Sequence, residues 1–432
     1  MTYLESEQRE VCRCRDEAQA VLKADICIVG SGIAGIYGAL ASAALGRRVV
    51  LVDGASQLGG LTYNANIGSF CGFFSNGSSW DTCRPLTRLF AEEMFDELKE
   101  LGGIFPRYSS RTIVTPYYDL CFLRWAEHKM QSLGVQVLLG CLISGVHREG
   151  RRLTEVQFLS RYGPVCVQAD SFLDASGDAA LAWAADLPCQ ESTTDVLGSQ
   201  VFLLGDIDCS NAPSTEEINQ RAAETGEKYG LERLKGVFFY MPVHGGLLSV
   251  NMTHVPTPLD PVAASEVTLT SKDLTDRVAA FLRKEFPHNF GHAAVVKYGE
   301  TGIRQTRSVS AVHRLRAQEI LDGTVFPDRI ARCAWPIELH NESTGYVWHT
   351  FSDDHVHYIP LSSLISPELD NYAAAGRCID ADTAALSSIR VMGPCAATGT
   401  AAAYALAQAD RGSIHEIDIA ALQRRLAPNL QD

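Results

Sequence analysis

The chain has 432 residues, of which 46% are hydrophobic and 20% charged, so its composition is that of a folded globular protein and excludes disordered and fibrous classes. Its length predicts two lobes rather than one compact domain. Lys and Arg number 37 against 51 Asp and Glu, and the resulting net charge of −14 argues against nucleic acid or a membrane as partner.

Location and redox state are predicted from three negative features of the sequence. No apolar run reaches the ~18 residues of a transmembrane helix. Residues 1–10 are polar and acidic and lack the basic and apolar regions of a signal peptide, so we predict a cytoplasmic protein. The 13 cysteines are scattered without a C-x-x-C pair, which predicts buried free thiols rather than a disulfide framework.

The globular part opens with a βαβ pattern behind a predicted N-terminal arm, residues 1–23. The apolar run 24–29 predicts a buried strand, and a glycine-rich turn follows it directly. Residues 36–45 predict a helix, and residues 49–53 predict a second buried strand.

The middle of the chain mixes helices and short strands. Helices are predicted at 86–101 and 118–133. Short β-like runs broken by turns between 135 and 169 predict a meander of small antiparallel strands, and residues 172–175 predict a further buried strand.

The pattern of predicted elements changes near residue 193, and this change predicts a second lobe. Its predicted elements are strands at 200–204, 237–243 and 247–255, a proline-rich break at 255–261 and a helix at 274–286. The first pattern returns with a strand at 372–377 and an alanine-rich helix at 396–409. We therefore predict a discontinuous first lobe, residues 24–192 and 365–432, with a second lobe, residues 193–364, inserted into it.

The turn between the first strand and helix has the spacing G-x-G-x-x-G, formed by Gly30, Gly32 and Gly35. The first glycine permits the sharp turn, the second lets a pyrophosphate approach the backbone, and the third lets the helix pack against the sheet. Strand, helix and following acidic residue supply the context in which this motif binds a dinucleotide. The alternative is a glycine-rich turn that binds nothing.

Backbone and acidic groups complete the predicted nucleotide site. N–H groups at the start of the helix, including those of Ile33 and Ala34, are expected to face the phosphates. Asp53 is expected to accept hydrogen bonds from the ribose. Gly59 and Gly60 suit a close approach of the backbone to an extended cofactor. These residues alone do not separate FAD from NAD.

Four segments together resemble the FAD-dependent oxidoreductase family of the glutathione-reductase-like flavoprotein superfamily. They are Leu-Gly-Gly at 58–60 behind GSGIAG, LDASGD at 173–178, TGIRQTR at 301–307, and the long stretch from GRCIDA at 376 to GTAAA at 399–403. The resemblance implies FAD as cofactor. It also implies an α/β fold: a Rossmann-like FAD-binding lobe with a parallel sheet and a β-meander, plus an inserted α+β substrate lobe.

The resemblance also implies further cofactor-binding residues, namely Gly177, Asp178, Gly376, Arg377, Thr398, Gly399 and Thr400. A helix beginning near Thr398 is expected to point its N-terminus at the flavin and to stabilise negative charge on the reduced ring.

Candidate catalytic residues are expected where the two lobes meet. Arg304 and Arg307 share a face if their segment is helical, and they can then bind a substrate carboxylate. Arg390 belongs to the C-terminal signature, and His340 is the candidate acid or base. For each of the four a structural role is the alternative.

Two other groups are considered and not chosen. Cys71 is interpreted as a buried thiol, with a redox or flavin-linking role as the alternative. His355 and His357, with the neighbouring acids Asp353 and Asp354, have the spacing of metal ligands, but we expect a polar loop and no metal.

The sequence therefore predicts an FAD-dependent oxidoreductase, an oxidase or dehydrogenase that transfers a hydride between a small organic substrate and flavin N5. O2 or another molecule is the expected electron acceptor, and a homo-oligomer is left open. Two alternatives remain: an NAD-dependent dehydrogenase using the same glycine-rich site, and a flavin-bound regulatory protein without turnover.

Overall fold

The computed structural model describes residues 20–191, 196–243, 245–341, 345 and 347–431. Residues 1–19 of the predicted arm lie outside the described residues, and residues 20–23 begin the first strand. Within the described ranges no helix combines the length and apolarity needed to cross a bilayer. Every cysteine in the same ranges is a free thiol, as expected.

The strands are β1 (Ala20–Val29), β2 (Val49–Asp53), β3 (Ser69–Phe70), β4 (Arg107–Ser109), β5 (Thr112–Pro116), β6 (Gln136–Leu139), β7 (Leu142–Glu149), β8 (Arg152–Ser160), β9 (Gly163–Asp174), β10 (Cys189–Glu191), β11 (Ser199–Gly205), β12 (Val237–Met241), β13 (Leu247–Asn251), β14 (Ala294–Gly302), β15 (Arg307–Val309), β16 (Arg329–Cys333), β17 (Ile337–Leu339), β18 (Val347–His349), β19 (His357–Pro360) and β20 (Tyr372–Ala374).

The helices are α1 (Ile33–Ala44), α2 (Gly60–Asn64), α3 (Ala91–Glu100), α4 (Asp119–Ser132), α5 (Ala180–Ala184), α6 (Thr215–Thr225), α7 (Pro261–Glu285), α8 (Pro287–Phe290), α9 (Ala317–Leu321), α10 (Thr383–Ile389), α11 (Met392–Ala409), α12 (Ile419–Arg425) and α13 (Ala427–Leu430).

The first sheet has the order β6-β2-β1-β9-β8-β7, and β20 pairs with β9 beside it. Strand β1 is parallel to both β2 and β9, and β20 is parallel to β9. The predicted Rossmann-like parallel sheet is therefore confirmed. The long antiparallel ladder of β7, β8 and β9 forms the meander. The expectation that the whole stretch 135–169 is antiparallel is wrong at β6, which pairs in parallel with β2.

The second sheet is antiparallel, with the order β12-β13-β11-β14. It has its own core, in which Phe202 and Phe238 of the sheet meet Phe281 of α7. Helix α7 begins at Pro261, 13 residues before the predicted start, because Asp260 caps it by accepting from the N–H of Ala263 and proline is tolerated at a first helical position. This sheet and helix form the expected α+β part of the fold.

Helix α11 packs along α1 with close approach of their backbones. Gly38 of α1 lies beside the carbonyl oxygen of Gly399, and a side chain at Gly399 would meet the backbone of Ala34. The helix is buried from Met392 to Leu406 because almost every residue is small or apolar. The C-terminal segment thus returns to cover the first sheet at the glycine-rich turn.

Candidate functional site

The glycine-rich turn has the geometry that its spacing predicts. Gly30 has φ +100° and lies against the backbone of Ala175, where any side chain would clash. Gly35 lies against the carbonyl of Gly30, so α1 packs directly on the turn. A Cβ on Gly32, by contrast, would meet nothing within 4 Å. Gly32 therefore opens onto free space, whereas its two partners are required by packing.

The start of α1 leaves its N–H groups available on that open side. Gly32 is the N-cap and no side chain accepts a hydrogen bond there. Asp53 receives the N–H and the hydroxyl of Ser31 at one carboxylate oxygen, both at 2.6 Å, and the N–H of Ala55 at the other, at 2.7 Å. Its carboxylate therefore holds the turn in shape, a role additional to the expected ribose contact.

Helix α2 connects this turn to the second sheet. A Cβ on Gly60 would lie 2.7 Å from the Cα of Gly32, so the glycine pair lets α2 begin against the turn. The five residues of α2 span ~7.5 Å. They lead to Asn66, whose carbonyl accepts from Ser249 of β13 and whose φ is +52°. Both polar atoms of the buried Asn66 side chain lack a partner among the described residues.

Three motifs that are distant in sequence meet at Asp178. Its carboxylate accepts the Thr306 hydroxyl at 2.7 Å and lies 3.5 Å from the guanidinium of Arg377. Gly177 has φ +80° and leaves the space that the Arg377 side chain occupies. Gly376 has φ +71° and faces Ala34 at the start of α1. The segments behind the family resemblance therefore surround one place in the fold.

The predicted role of the helix near Thr398 needs correction. Helix α11 begins six residues earlier, at Met392, so Thr398, Gly399 and Thr400 lie inside it. Thr398 accepts the N–H of Gly376 at 3.1 Å, and Thr400 bonds back to Ala396. The helix starts instead beside Cys71, whose carbonyl accepts the N–H of Gly393. Any helix-terminus effect therefore comes from residues 392–395.

His340 lies in a buried hydrogen-bonded chain of three side chains. Its Nε2 is 2.9 Å from Oε1 of Glu338 on β17, and its Nδ1 is 2.9 Å from Nε2 of His254 after β13. The second oxygen of Glu338 accepts from the indole N–H of Trp335 at 3.1 Å. We assign the Nε2–H tautomer to His340, because a carboxylate only accepts.

Burial and nearby charge set the protonation of this chain. Burial lowers the pKa of His340 and the charge of Arg304 lowers it further, to about 2, against the opposing hydrogen bond with Glu338. Burial raises the pKa of Glu338, but the hydrogen bond with His340 and the charges of Arg390 and Arg304 outweigh it and bring it to about 2. A neutral imidazole thus lies beside an ionised carboxylate, and the role of His340 as acid or base stays a prediction.

Arg304 and Arg307 were expected to share one face if their segment were helical, and they do not. Their segment is not helical: β14 ends at Gly302 and β15 begins at Arg307. Arg304 is buried and donates to the carbonyl of Leu197 at 2.6 Å and to the Ser199 hydroxyl at 3.0 Å. Arg307 lies over the ring of Trp183, 4.6 Å from its centroid. The two side chains bind different parts of the chain and do not form a fork.

Arg390 and Arg107 each keep one buried donor without a partner. Arg390 follows α10 and donates to the carbonyl of Glu338 at 3.1 Å, and Arg107 on β4 donates to the carbonyl of Phe238 at 3.2 Å. The Nε of each has no partner among the described residues. Both charges act on the thiol of Cys71, whose pKa burial raises to about 12. That thiol is therefore protonated, which supports the interpretation as a buried thiol.

No group of His, Cys, Asp and Glu in the described ranges has the geometry of a metal site. His357 is buried, 3.3 Å from His355 and 3.0 Å from the Ser388 hydroxyl, and His355 stacks on Phe351 at 4.1 Å. The pair is part of an aromatic and hydrogen-bonded cluster.

Sequence reasoning did not identify Glu338, His254, Asn66 or Arg107. Glu338 stands two residues before His340, and alternation along a strand is the signal that would have paired them. The other three are brought to the site by tertiary contacts between sheets, for which the sequence holds no local pattern.

The residues present fit FAD. The open space at Gly32 beside uncapped N–H groups suits a pyrophosphate. The unpartnered amide of Asn66 lies just beyond α2, the short helix that begins against the turn. Buried polar groups normally have partners, so an amide with none is consistent with a bound group that supplies them.

The comparisons with known proteins agree with this geometry. The family model described as FAD dependent oxidoreductase matches residues 25–426. No curated protein sequence matches the chain. A geranylgeranyl bacteriochlorophyll reductase-like protein from Thermoplasma acidophilum is similar in structure, at 10% identity and a TM-score of 0.50, over 95% of this chain and 84% of that one. A p-nitrophenol 4-monooxygenase from Pseudomonas putida matches at 9% identity and a TM-score of 0.47, over 95% and 82%. At 10% identity, the first of these structures shows a shared fold alone.

Proposed function

The chain belongs to the FAD-dependent oxidoreductase family, and we propose that it transfers a hydride between a carbon of a small organic substrate and N5 of FAD. FAD as cofactor and an enzymatic role follow from the family, so the NAD-dependent and non-catalytic alternatives are set aside. The proposal also includes the glutathione-reductase-like superfamily, reoxidation by O2 or another acceptor, a cytoplasmic location, and the two-lobe division with residues 193–364 inserted.

The observation that carries the proposal is the chain Glu338–His340–His254. When a hydride leaves an alcohol or amine carbon, the proton on the adjacent oxygen or nitrogen needs an acceptor. In the proposal the substrate takes the place of His254 at Nδ1 of His340, that nitrogen accepts the proton, and Glu338 holds the ring through Nε2–H. Arg390, bonded to the backbone of Glu338, holds β17 against the end of α10. The proposed cofactor contacts are those predicted from the sequence in residues 30–35, at Asp53, Gly59 and Gly60, and around Asp178 and Arg377.

Replacement of His340 by Ala should slow anaerobic reduction of the bound flavin by about a hundredfold, because the proton loses its acceptor. A panel of hydroxy acids, amines and alcohols is first screened for bleaching of the flavin absorbance. The best donor is then followed by stopped-flow for the wild type, His340→Ala and the exposed control His349→Ala. A donor deuterated at the reacting carbon should show a primary isotope effect. If the flavin of His340→Ala is bleached at the wild-type rate, His340 takes no part in the reaction. The protein would then act only by positioning the substrate against the flavin.

We further propose that the Asn66 amide hydrogen-bonds the cofactor. Asn66→Gly should raise the dissociation constant of FAD about tenfold, the effect of one or two lost hydrogen bonds. The free energy of unfolding of the apoprotein should change by less than ~1 kcal/mol, because glycine accepts the positive φ and the amide has no protein partner to lose. Asn211→Gly is the matched control, since Asn211 is exposed and has φ 49°.

Fluorescence titration of apoprotein with FAD and urea unfolding measure the two quantities separately. Equal affinities in Asn66→Gly and Asn211→Gly would show that the amide does not face the cofactor.

A further inference from the structure

Three arginines lie close to Glu338 or to Cys71. Arg304 and Arg390 both act on Glu338, and Arg107 and Arg390 both act on Cys71. None of the three forms an ion pair with any residue that the structure describes. With Cys71 protonated, Glu338 is the one carboxylate whose charge acts on Arg304 and Arg390, in a protein whose net charge is −14.

Buried charge without a counter-charge is costly, and an excess of one sign marks a place where an ion of the other sign binds. The guanidinium groups of Arg304, Arg390 and Arg107 all lose solvation, and burial lowers the pKa of each. Arg304 already bonds to a carbonyl and a hydroxyl. Arg390 and Arg107 bond to one carbonyl each and retain an unpartnered Nε, so these two have donors to offer.

The two arginines belong to different parts of the fold. Arg390 follows α10 and precedes α11 on the first sheet's side, and Arg107 lies on β4 with its guanidinium 5.1 Å from the Phe239 ring of the second sheet. Cys71 links the two: its carbonyl accepts the N–H of Gly393, three residues after Arg390, and β3 directly before it pairs with β5, the neighbour of β4. A ligand held by both would bridge the two sheets beside the start of α11.

We propose that Arg107 and Arg390 together bind the carboxylate of the substrate, so that the enzyme acts on small organic acids. This inference rests on the proposed function, since it names the substrate class of the same site. A carboxylate has two planar oxygens and matches N–H donors of guanidinium groups better than any neutral group of that size.

A bound carboxylate would also change the chemistry of His340. Arg304 is the largest electrostatic cause that holds the pKa of His340 low, after burial. A nearby negative charge offsets such a cation and raises the pKa of the imidazole. A carboxylate bound beside Arg390, whose charge also lowers the pKa of His340, would therefore favour the protonated imidazole.

The test is titration of the holoprotein with benzoate and with benzamide, its neutral counterpart of similar shape, followed through the visible spectrum of the flavin. Wild type should bind benzoate with a dissociation constant of about 1 mM or tighter, and benzamide at least about tenfold more weakly. Arg107→Met and Arg390→Met should each weaken benzoate at least about tenfold. Neither substitution should change the dissociation constant of benzamide or the retention of FAD. Arg277→Met, at an exposed position on α7, is the control.

Several outcomes would overturn the carboxylate site. They are equal binding of benzoate and benzamide, unchanged benzoate binding in both variants, no spectral response to benzoate or acetate, and sulfate binding as tightly as benzoate. A more negative flavin potential in the variants with benzoate binding unchanged would assign the guanidinium groups to the flavin instead. Because this readout needs no turnover, a flavin that responds to benzoate but is bleached by no donor would refute the proposed function and leave the anion site standing.

Discussion

Alanine at position 32 should leave the apoprotein as stable as the wild type while reducing its affinity for FAD about a thousandfold. Gly32 has φ −67° and ψ −179°, which any residue adopts, and a Cβ there meets no atom of the protein within 4 Å. The only space that the new methyl group takes is the space in which the pyrophosphate is proposed to lie. Loss of two charged hydrogen bonds to backbone N–H groups corresponds to ~4 kcal/mol, or about three powers of ten.

The neighbouring glycine supplies the contrasting control. In Gly35→Ala the new Cβ would lie against the carbonyl of Gly30 inside the packed turn. We expect this variant to lose about 3 kcal/mol of unfolding free energy, since the backbone must move to make room. Gly32→Ala and Gly35→Ala thus carry the same chemical change three residues apart, one affecting the cofactor and the other the fold.

Urea unfolding of both apoproteins and equilibrium titration with FAD decide between these expectations. If Gly32→Ala binds FAD like the wild type, the pyrophosphate does not lie over Gly32, and the interpretation of the open space is wrong. If Gly32→Ala instead unfolds like Gly35→Ala, the turn is packed more tightly than the geometry indicates.

Much of the first lobe could be predicted from the sequence, because its strands and helices are marked by residues that lie next to one another in the chain. Strand β2 was predicted with its observed bounds, and α1 within three residues at its start, since continuous apolar runs and glycine punctuation specify them. The parallel pairing of β6 was missed, because a short strand carries no sign of its partner. The start of α11 at Met392, before the predicted 396, was missed, and Gly393 and Pro394 are residues that disfavour a helix interior. Proline is tolerated in a first turn, where its missing N–H has no acceptor to lose.

The site was harder to predict than the fold. Glycine positions could be assigned roles one by one, since each role depends on the residue's own φ or on one close contact. The arginines could not, because the direction of a long side chain depends on which carbonyl it reaches: Arg304 turns to Leu197 and Arg307 to Trp183. Arg107, His254 and Asn66 became visible only when two sheets were brought together, whereas Glu338 had a local signal in its spacing from His340.

Acid should destabilise the holoprotein strongly between pH 7 and pH 5, by about 4 kcal/mol, because two histidines are buried in the neutral form. Burial and the charge of Arg304 lower the pKa of His340 to about 2. Burial, with a smaller contribution from His355, lowers the pKa of His357 to about 3. In the unfolded chain both return to ~6.5. Below that pH the unfolded state binds two protons that the folded state excludes, so stability falls as pH falls.

Each such histidine contributes a slope of ~1.4 kcal/mol per pH unit, and the pair together ~2.7. Glu338 acts in the same direction at lower pH, because its folded pKa also lies below the unfolded value. Asp174 acts in the opposite direction, since burial raises its pKa and its folded form binds a proton more readily. His357→Gln separates the two histidines, because a glutamine amide can still donate to the Ser388 hydroxyl but does not titrate.

Urea unfolding at saturating FAD and at pH 7, 6 and 5 should therefore give about half the wild-type slope for His357→Gln. His292→Gln, a substitution at an exposed position, is the control. A His357→Gln variant with the full wild-type slope would mean that His357 takes up its proton in the folded protein. Its hydrogen bonds to His355 and Ser388 would then have to rearrange, because the protonated ring donates from both nitrogens.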